Sequence, residues 1–264
     1  MAEEAKKPVA AAVPAATVLL IRDGERGLEV FMVKRHHQID FVAGALVFPG
    51  GKTAPGDSDA ALNEMTDCHD HWDTTMRELG AAAIREAFEE SGILLAREEG
   101  SNALVSAERA AALDHYRSKL DKKEIGLAEM LRTEKLRLAC DRLVHFAHWV
   151  TPDHMPKRFD THFFLAAAMA DHTGMHDGRE TVDSVWIGPQ QAIDDRKKWN
   201  VIFPTKLNLM KLGESKTVAE AMKAAAAEPP KMVLPWTEKG PDGPILRIRD
   251  DAGYSQTSAS LKDA

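Results

Sequence analysis

Three carboxylates and a guanidinium crowd into Arg85-Glu86-Ala87-Phe88-Glu89-Glu90-Ser91-Gly92-Ile93. On a helix of about 3.6 residues per turn, Glu86 and Glu90 share a face. Glu89 stands beside them, Arg85 lies at the edge of that face, and Gly92 suits a helix stop. Like charges on one short arc repel, and a divalent cation with oxygen ligands would relieve the repulsion. Mg²⁺ prefers oxygen donors, so three carboxylates at this spacing could share such a cation.

The cluster needs a helix beneath it and a loop in front of it. A helix is expected from about Thr75 through Ala81-Ala82-Ala83-Ile84 into the glutamates. Upstream, the apolar run 41–48 leads into Pro49-Gly50-Gly51, a breaker that lets backbone approach a ligand closely. Residues 17–22 and 28–35 read as strands around the turn Asp23-Gly24-Glu25-Arg26-Gly27, which makes an antiparallel hairpin. Residues 52–74 read as a long polar loop, and 102–122 and 124–136 as helices of a surface insert. Strands are expected over 143–150, 161–170 and 181–188, with Pro189 opening a short helix. Further helices start at Pro204 and span 217–227, where Pro229-Pro230 stops the chain turning. Residues 231–234 and 245–248 read as a last strand pair. The expected layout is one α+β domain over 15–250 with a helical insert at about 102–136, a disordered lead over 1–14 and a disordered tail over 251–264.

The glycine turn followed by Arg-Glu-x-x-Glu-Glu-x-Gly resembles the signature of the Nudix hydrolases. That family's box runs Gly-x5-Glu-x7-Arg-Glu-U-x-Glu-Glu-x-Gly-U, with U apolar. Arg85, Glu86, Ala87, Glu89, Glu90, Gly92 and Ile93 match its second half, and Phe48-Pro49-Gly50-Gly51 supplies its start. The middle departs: Arg85 follows Gly51 by 34 residues against 14 in the family box, so about 20 are inserted. The box glutamate, counted back from Arg85, falls on Arg77, and its neighbour Glu78 is the expected substitute.

The resemblance implies an α/β/α sandwich with a mixed sheet and a loop-helix-loop motif holding Mg²⁺ or Mn²⁺ against a diphosphate. It implies Glu86, Glu89, Glu90 and the Gly50 carbonyl as metal ligands, with Glu86 and Glu89 serving catalysis and Glu89 either ligand or water-orienting base. Arg85 is expected to pair with these glutamates. Glu180 and Asp183 are candidates for a general base from a later loop. Arg35, Gly44 and Phe48 to Gly51 also fall on the spacing of the branch that cleaves coenzyme A and its thioesters. There His36 replaces a small residue and Asp40 an arginine. Arg35, Phe48 and Gly51 are the expected substrate contacts. Residues 158–164 and 203–209 and the long loop resemble the large-insert subgroup that includes acyl-coenzyme A diphosphatases. The favoured substrate is therefore coenzyme A or an acyl-coenzyme A, with ADP-ribose as the rival and a non-catalytic nucleotide sensor as the reading from another class.

The formal charge of −7 argues against non-specific nucleic-acid binding, which needs Lys and Arg to neutralise phosphates. Cys68 and Cys140 have no paired spacing, so no disulfide framework is expected and a cytoplasmic setting is the natural reading. No apolar run reaches membrane-spanning length, and neither a signal-peptide core nor a Ser-Lys-Leu ending is present. A small-molecule diphosphate is the expected partner, a homodimer is possible, and the helices over 102–136 read as a dimer arm or a wall of the substrate pocket. Cys68-His69-x-His71 lacks the four ligands of a zinc site, and His145, His148, His172 and His176 read as ordinary strand and loop histidines.

Overall fold

The computed structural model describes residues 9–36, 43–169, 171–178, 180–241 and 243–261. In chain order the first half comprises β1 (Val13–Gly24), β2 (Gly27–Arg35), β3 (Leu46–Val47), β4 (Gly50–Lys52), β5 (Thr66–Asp67) and α1 (Thr74–Ser91). The insert follows as β6 (Ala96–Glu98), α2 (Ala107–Ala112), α3 (Arg117–Asp121), α4 (Leu127–Glu134) and β7 (Leu136–Ala139). Then come β8 (Val144–Val150), β9 (Phe159–Ala167), β10 (Thr181–Ile187), α5 (Pro189–Asp194), α6 (Phe203–Leu212) and α7 (Val218–Ala227). The C-terminal strands are β11 (Met232–Val233), β12 (Trp236–Gly240), β13 (Gly243–Arg247) and β14 (Ser258–Ser260).

The main sheet is mixed and runs β10-β2-β1-β9-β8-β11, with β3 on β2 and β4 on β1. β1 and β9 pair in parallel at its centre, and the expected hairpin of β1 and β2 is present. Alternation along β1 explains the two layers, because successive side chains point to opposite faces. Ala16, Val18 and Leu20 pack with Phe164 against Ile84, Ala87 and Phe88 of α1. Leu19 and Ile21 pack with Phe163 and Leu165 toward Phe203, Leu207 and Ala221 of α6 and α7. The sheet thus lies between helices, the sandwich expected for a Nudix fold.

Several boundaries differ from expectation. β1 begins at Val13, inside the expected lead, where Val13 N donates to the Arg158 carbonyl. The long loop contains two 3₁₀ turns (Pro55–Ser58 and Ala60–Glu64) and β5, which pairs with β7. The insert helices are shorter than the polar runs suggested, and β5, β7 and β6 form a small sheet beside them. Buried Arg97 binds this unit together through Asp67 (2.8 Å) and Asp141 (2.7 Å). The expected last strand pair does not form. β11 joins the main sheet beside β8, whereas β13 pairs with β12 and β14.

The tail from Asp251 is ordered across the described residues, against expectation. Tyr254 is buried, donates to Asn208 Oδ1 at 2.6 Å and accepts from Trp149 Nε1 at 2.8 Å. An aromatic ring with its hydroxyl satisfied anchors a segment that composition alone marks as polar. Cys68 and Cys140 are free thiols.

Candidate active site

Helix α1 starts on Asp73, whose side chain accepts from Met76 N at 2.8 Å, and ends on Gly92 in the left-handed region at φ 73°. An N-cap carboxylate and a C-terminal glycine are the expected punctuation for a helix of this length. The buried face seats α1 on β1, so its other side presents Glu86, Glu89 and Glu90 to the β4 turn. Gly50 and Gly51 belong to β4, which pairs with β1. A Cβ on Gly51 would lie 2.5 Å from Glu86 Oε1, and one on Gly50 would lie 2.6 Å from the Ala16 carbonyl oxygen. At Gly50 the obstacle is the β1 backbone, so only glycine lets the turn lie so close to that strand, and at Gly51 a side chain would displace the Glu86 carboxylate. Gly50 N then donates to Glu90 Oε2 at 3.0 Å.

Arg85 is the hub of the acidic groups. Its Nε donates to Asp57 Oδ1 (2.8 Å) and its Nη2 to Asp57 Oδ2 (2.9 Å). Nη1 donates to Glu86 Oε1 at 2.9 Å and to both Glu89 oxygens at 3.2 Å, and Nη2 also reaches the Lys52 carbonyl at 2.9 Å. All five guanidinium N–H groups therefore have acceptors within the protein. Arg85 fixes carboxylates and has no donor left for a substrate.

Asp57 is the partner that sequence reasoning missed. It stands six residues after Gly51, where the family box places its glutamate, and its side chain is fully buried. The insertion therefore lies between Asp57 and Arg85, and counting backwards from Arg85 crosses it. Glu78 is not the substitute: the carboxylates that bind Arg85 are those of Asp57, Glu86 and Glu89. Arg117 of the insert was also missed. Its Nε donates to the Glu89 carbonyl at 3.0 Å and its Nη2 to the Met175 carbonyl at 3.0 Å, clamping the last turn of α1. No local pattern marks it.

Burial makes the carboxylate charges costly. It pushes Glu89 up to about 7, aided by the Glu86 charge and opposed by Arg85. Glu86 is raised by burial against the pull of Arg85. Glu90 is raised well above the usual range by burial and by Glu86, while the Gly50 N–H and Arg35 oppose the rise. Burial works against the Arg85 charge, but the Asp57 bonds and the neighbouring carboxylates outweigh it and raise its pKa. Raised carboxylates gathered at one glycine turn are a donor set that a hard divalent cation would satisfy, so the residues present fit Mg²⁺ or Mn²⁺.

The cluster opens onto a cavity of about 1340 Å³. Arg35, Phe48, Gly50 and Gly51 line it, together with Glu86, Glu89 and Glu90. Arg35 Nε is buried with no hydrogen-bond partner among the described residues, a cationic group free to receive an anion. Glu180 lines the cavity from the position just before β10, and its charge bears on both Glu86 and Glu90. Asp183 does not line it and accepts from Ser184 N instead. Leu120, Ile125 and Leu127 make the insert a wall of this cavity. Asp40 lies outside the described residues.

A glycine turn, a capped helix bearing Arg-Glu-x-x-Glu-Glu and a mixed sheet between helices define a Nudix hydrolase. The chain matches the NUDT19 Nudix domain family over residues 73–208, about half its length, and belongs to that family. It is 23% identical over 215 residues to the acyl-coenzyme A diphosphatase NUDT19 of Xenopus laevis, covering 67% of this chain and 57% of the relative. It is 25% identical over 166 residues to the putative nudix hydrolase 7 of Caenorhabditis elegans, covering 63% and 48% respectively. The chain thus spans about half the length of the curated relatives it matches. The crystal structure of a NUDIX hydrolase from Alicyclobacillus acidocaldarius superposes with a TM-score of 0.66 at 26% identity, covering 81% of this chain and 96% of that one. No helix among the described residues is long and apolar enough to cross a membrane.

Proposed function

We propose that the protein hydrolyses the diphosphate linkage of a nucleoside diphosphate derivative, with coenzyme A or an acyl-coenzyme A as its substrate. The observation that carries this reading is the Arg85 hub. It holds Glu86 and Glu89 through donors that are all used internally, next to Glu90 on the Gly50 amide, at the mouth of a large cavity. Glu86, Glu89, Glu90 and the Gly50 carbonyl would hold Mg²⁺ or Mn²⁺. The bound cation would neutralise charge developing on the phosphate oxygens and acidify the attacking water.

The chain's own residues supply the rest. Arg85 holds Glu86 and Glu89 in fixed rotamers, so little reorganisation is needed as charge develops. Arg35 offers its unpaired Nε to a phosphate, beside Phe48 and Gly51. Glu180, exposed and lining the same cavity, takes the proton of the attacking water as general base. Support for coenzyme A comes from the Arg35, Gly44 and Phe48 to Gly51 spacing, from the named activity of the Xenopus relative, and from a cavity wall that includes Leu120, Leu127 and Phe163.

The test is product analysis by mass spectrometry after incubation with Mg²⁺ and, in turn, coenzyme A, an acyl-coenzyme A, ADP-ribose, NADH and dinucleoside polyphosphates. Cleavage of the coenzyme A pair into 3′-phospho-AMP and a phosphopantetheine is the expected outcome. Preference for ADP-ribose would replace the substrate reading and keep the chemistry. Tight binding of one nucleotide with no cleavage of any would overturn the enzymatic reading.

A further inference from the structure

Among the described residues, one group outside the diphosphate site could hold a metal: His148, Asp160 and His162, whose potential ligand atoms all lie within 4.8 Å of one another. The register of β8 and β9 creates it. His148 stands directly opposite His162, and Asp160 precedes His162 by two residues, so all three share one face of the sheet. Sequence spacing hides this, because the second histidine and the carboxylate come from the neighbouring strand.

The geometry suits coordination. His148 Nε2 lies 2.5 Å from Asp160 Oδ1, and His162 Nε2 lies 3.8 Å from the same oxygen. Zinc bonds of about 2.0–2.2 Å to nitrogen and oxygen place tetrahedral ligand atoms roughly 3.3 Å apart. The observed separations bracket that spacing, so small side-chain rotations suffice. The other ring nitrogen of His162, Nδ1, lies 3.1 Å from His145 Nε2. With that Nδ1–H donated to His145, the Nε2 lone pair faces Asp160, which is how outer partners orient metal-binding histidines. The imidazoles of His148 and His162 are 16–18% exposed, which leaves one side open to solvent.

We propose that His148, Asp160 and His162 bind a Zn²⁺ ion, with His145 as the positioning residue and water filling the remaining place. Two imidazoles and one carboxylate favour zinc over Mg²⁺, which prefers oxygen donors. The ion would join β8 to β9 behind the cavity wall, since Trp149, Thr161 and Phe163 on these strands line the cavity. None of the three ligands lines it, so this site is separate from the acidic cluster.

The experiment is equilibrium dialysis of the chelator-stripped full chain against Zn²⁺ in excess Mg²⁺, with elemental analysis of bound metal. Wild type should retain about one zinc, as should Glu86→Gln, and the double variant His148→Gln/His162→Gln should retain none. His145→Ala should weaken binding by about 10–100-fold, the usual cost of losing an outer partner. No zinc on the wild type, retention by the folded double variant, or loss in Glu86→Gln would each overturn the proposal. A readout needing no variant is histidine ring ¹⁵N NMR of the wild type during zinc titration. Shifts at His148 and His162 are expected, and unmoved signals from both would overturn the assignment.

Discussion

Asp57 and Arg85 stand 28 residues apart and meet in two parallel hydrogen bonds of 2.8 and 2.9 Å. The pair ties the 3₁₀ turn that follows the glycines to α1 across an insertion of about 20 residues, the gap that hides the family box in the sequence. Because Arg85 also holds Glu86 and Glu89, the geometry of the acidic cluster depends on Asp57, whose side chain is fully buried against the guanidinium.

Removing Asp57 leaves the buried guanidinium short of its two-point partner. Asp57→Ala should destabilise the fold by about 3 kcal/mol, the lower end for breaking a buried pair, because Glu86 and Glu89 remain. Glu78→Ala should change stability by less than about 0.5 kcal/mol. Urea melts of the two variants decide the matter, and equal losses would refute the assignment of Asp57.

Glu90 receives the Gly50 amide and, among the described residues, makes no ion pair with an arginine. Glu90→Gln preserves shape while removing a charge, so kcat should fall by about 10²–10³-fold with an unchanged circular dichroism spectrum. Near-normal turnover in Mg²⁺ would show that the cluster is not the reaction site.

Glu180 and Asp183 lie on the same strand or its lead-in, but only Glu180 lines the cavity. Glu180→Gln should lower kcat by about 10²-fold or more with little change in KM, the signature of a lost general base. Asp183→Asn should leave both constants unaltered. If instead Glu180→Gln leaves kcat intact, Glu89 becomes the base.

The raised carboxylates set a pH dependence. Between the ordinary value of 4.5 and about 7, the metal-free native state keeps a proton on Glu89 that the unfolded chain has released. That contribution is full below 4.5 and is lost as pH rises through about 7. Mg²⁺ binds the deprotonated form, so the gain in Tm from added Mg²⁺ should widen from pH 5.5 to 8. Calorimetry with and without the ion measures it, and a gap that stays flat would count against carboxylate ligation.

The histidines act in the opposite sense. Burial holds His145 down to about 3 and His162 to about 4, with neighbouring histidines adding to the effect. Their contribution is full above 6.5 and is lost as pH falls toward those values, because the unfolded chain takes up the protons first. The low-pH side of the metal-free stability curve should therefore flatten in His162→Gln. An unchanged acid limb would mean that these rings do not titrate with unfolding.

Short-range order was readable from the residues. Helical spacing places Glu86, Glu89 and Glu90 on one arc, Gly92 ends that helix, and Phe48 to Gly51 marks the turn in front of it, because these features depend on neighbours within a few positions. The strands of the central hairpin follow from the same local alternation. The last strands did not: β11 and β13 both look like edge strands, and nothing local says which sheet each will join.

What the sequence by itself determined is the family signature: an acidic helix fronted by a glycine turn, with carboxylates spaced so that they could share a cation. Only the tertiary structure decided which acid locks Arg85, that Arg117 clamps the helix end, that the insert walls the cavity, that Tyr254 anchors the tail, and that histidines from two strands converge. The physical reason is range. Helix and turn preferences act over a few residues, whereas these partners are chosen by the path of an insertion, by strand register and by what burial leaves unsatisfied.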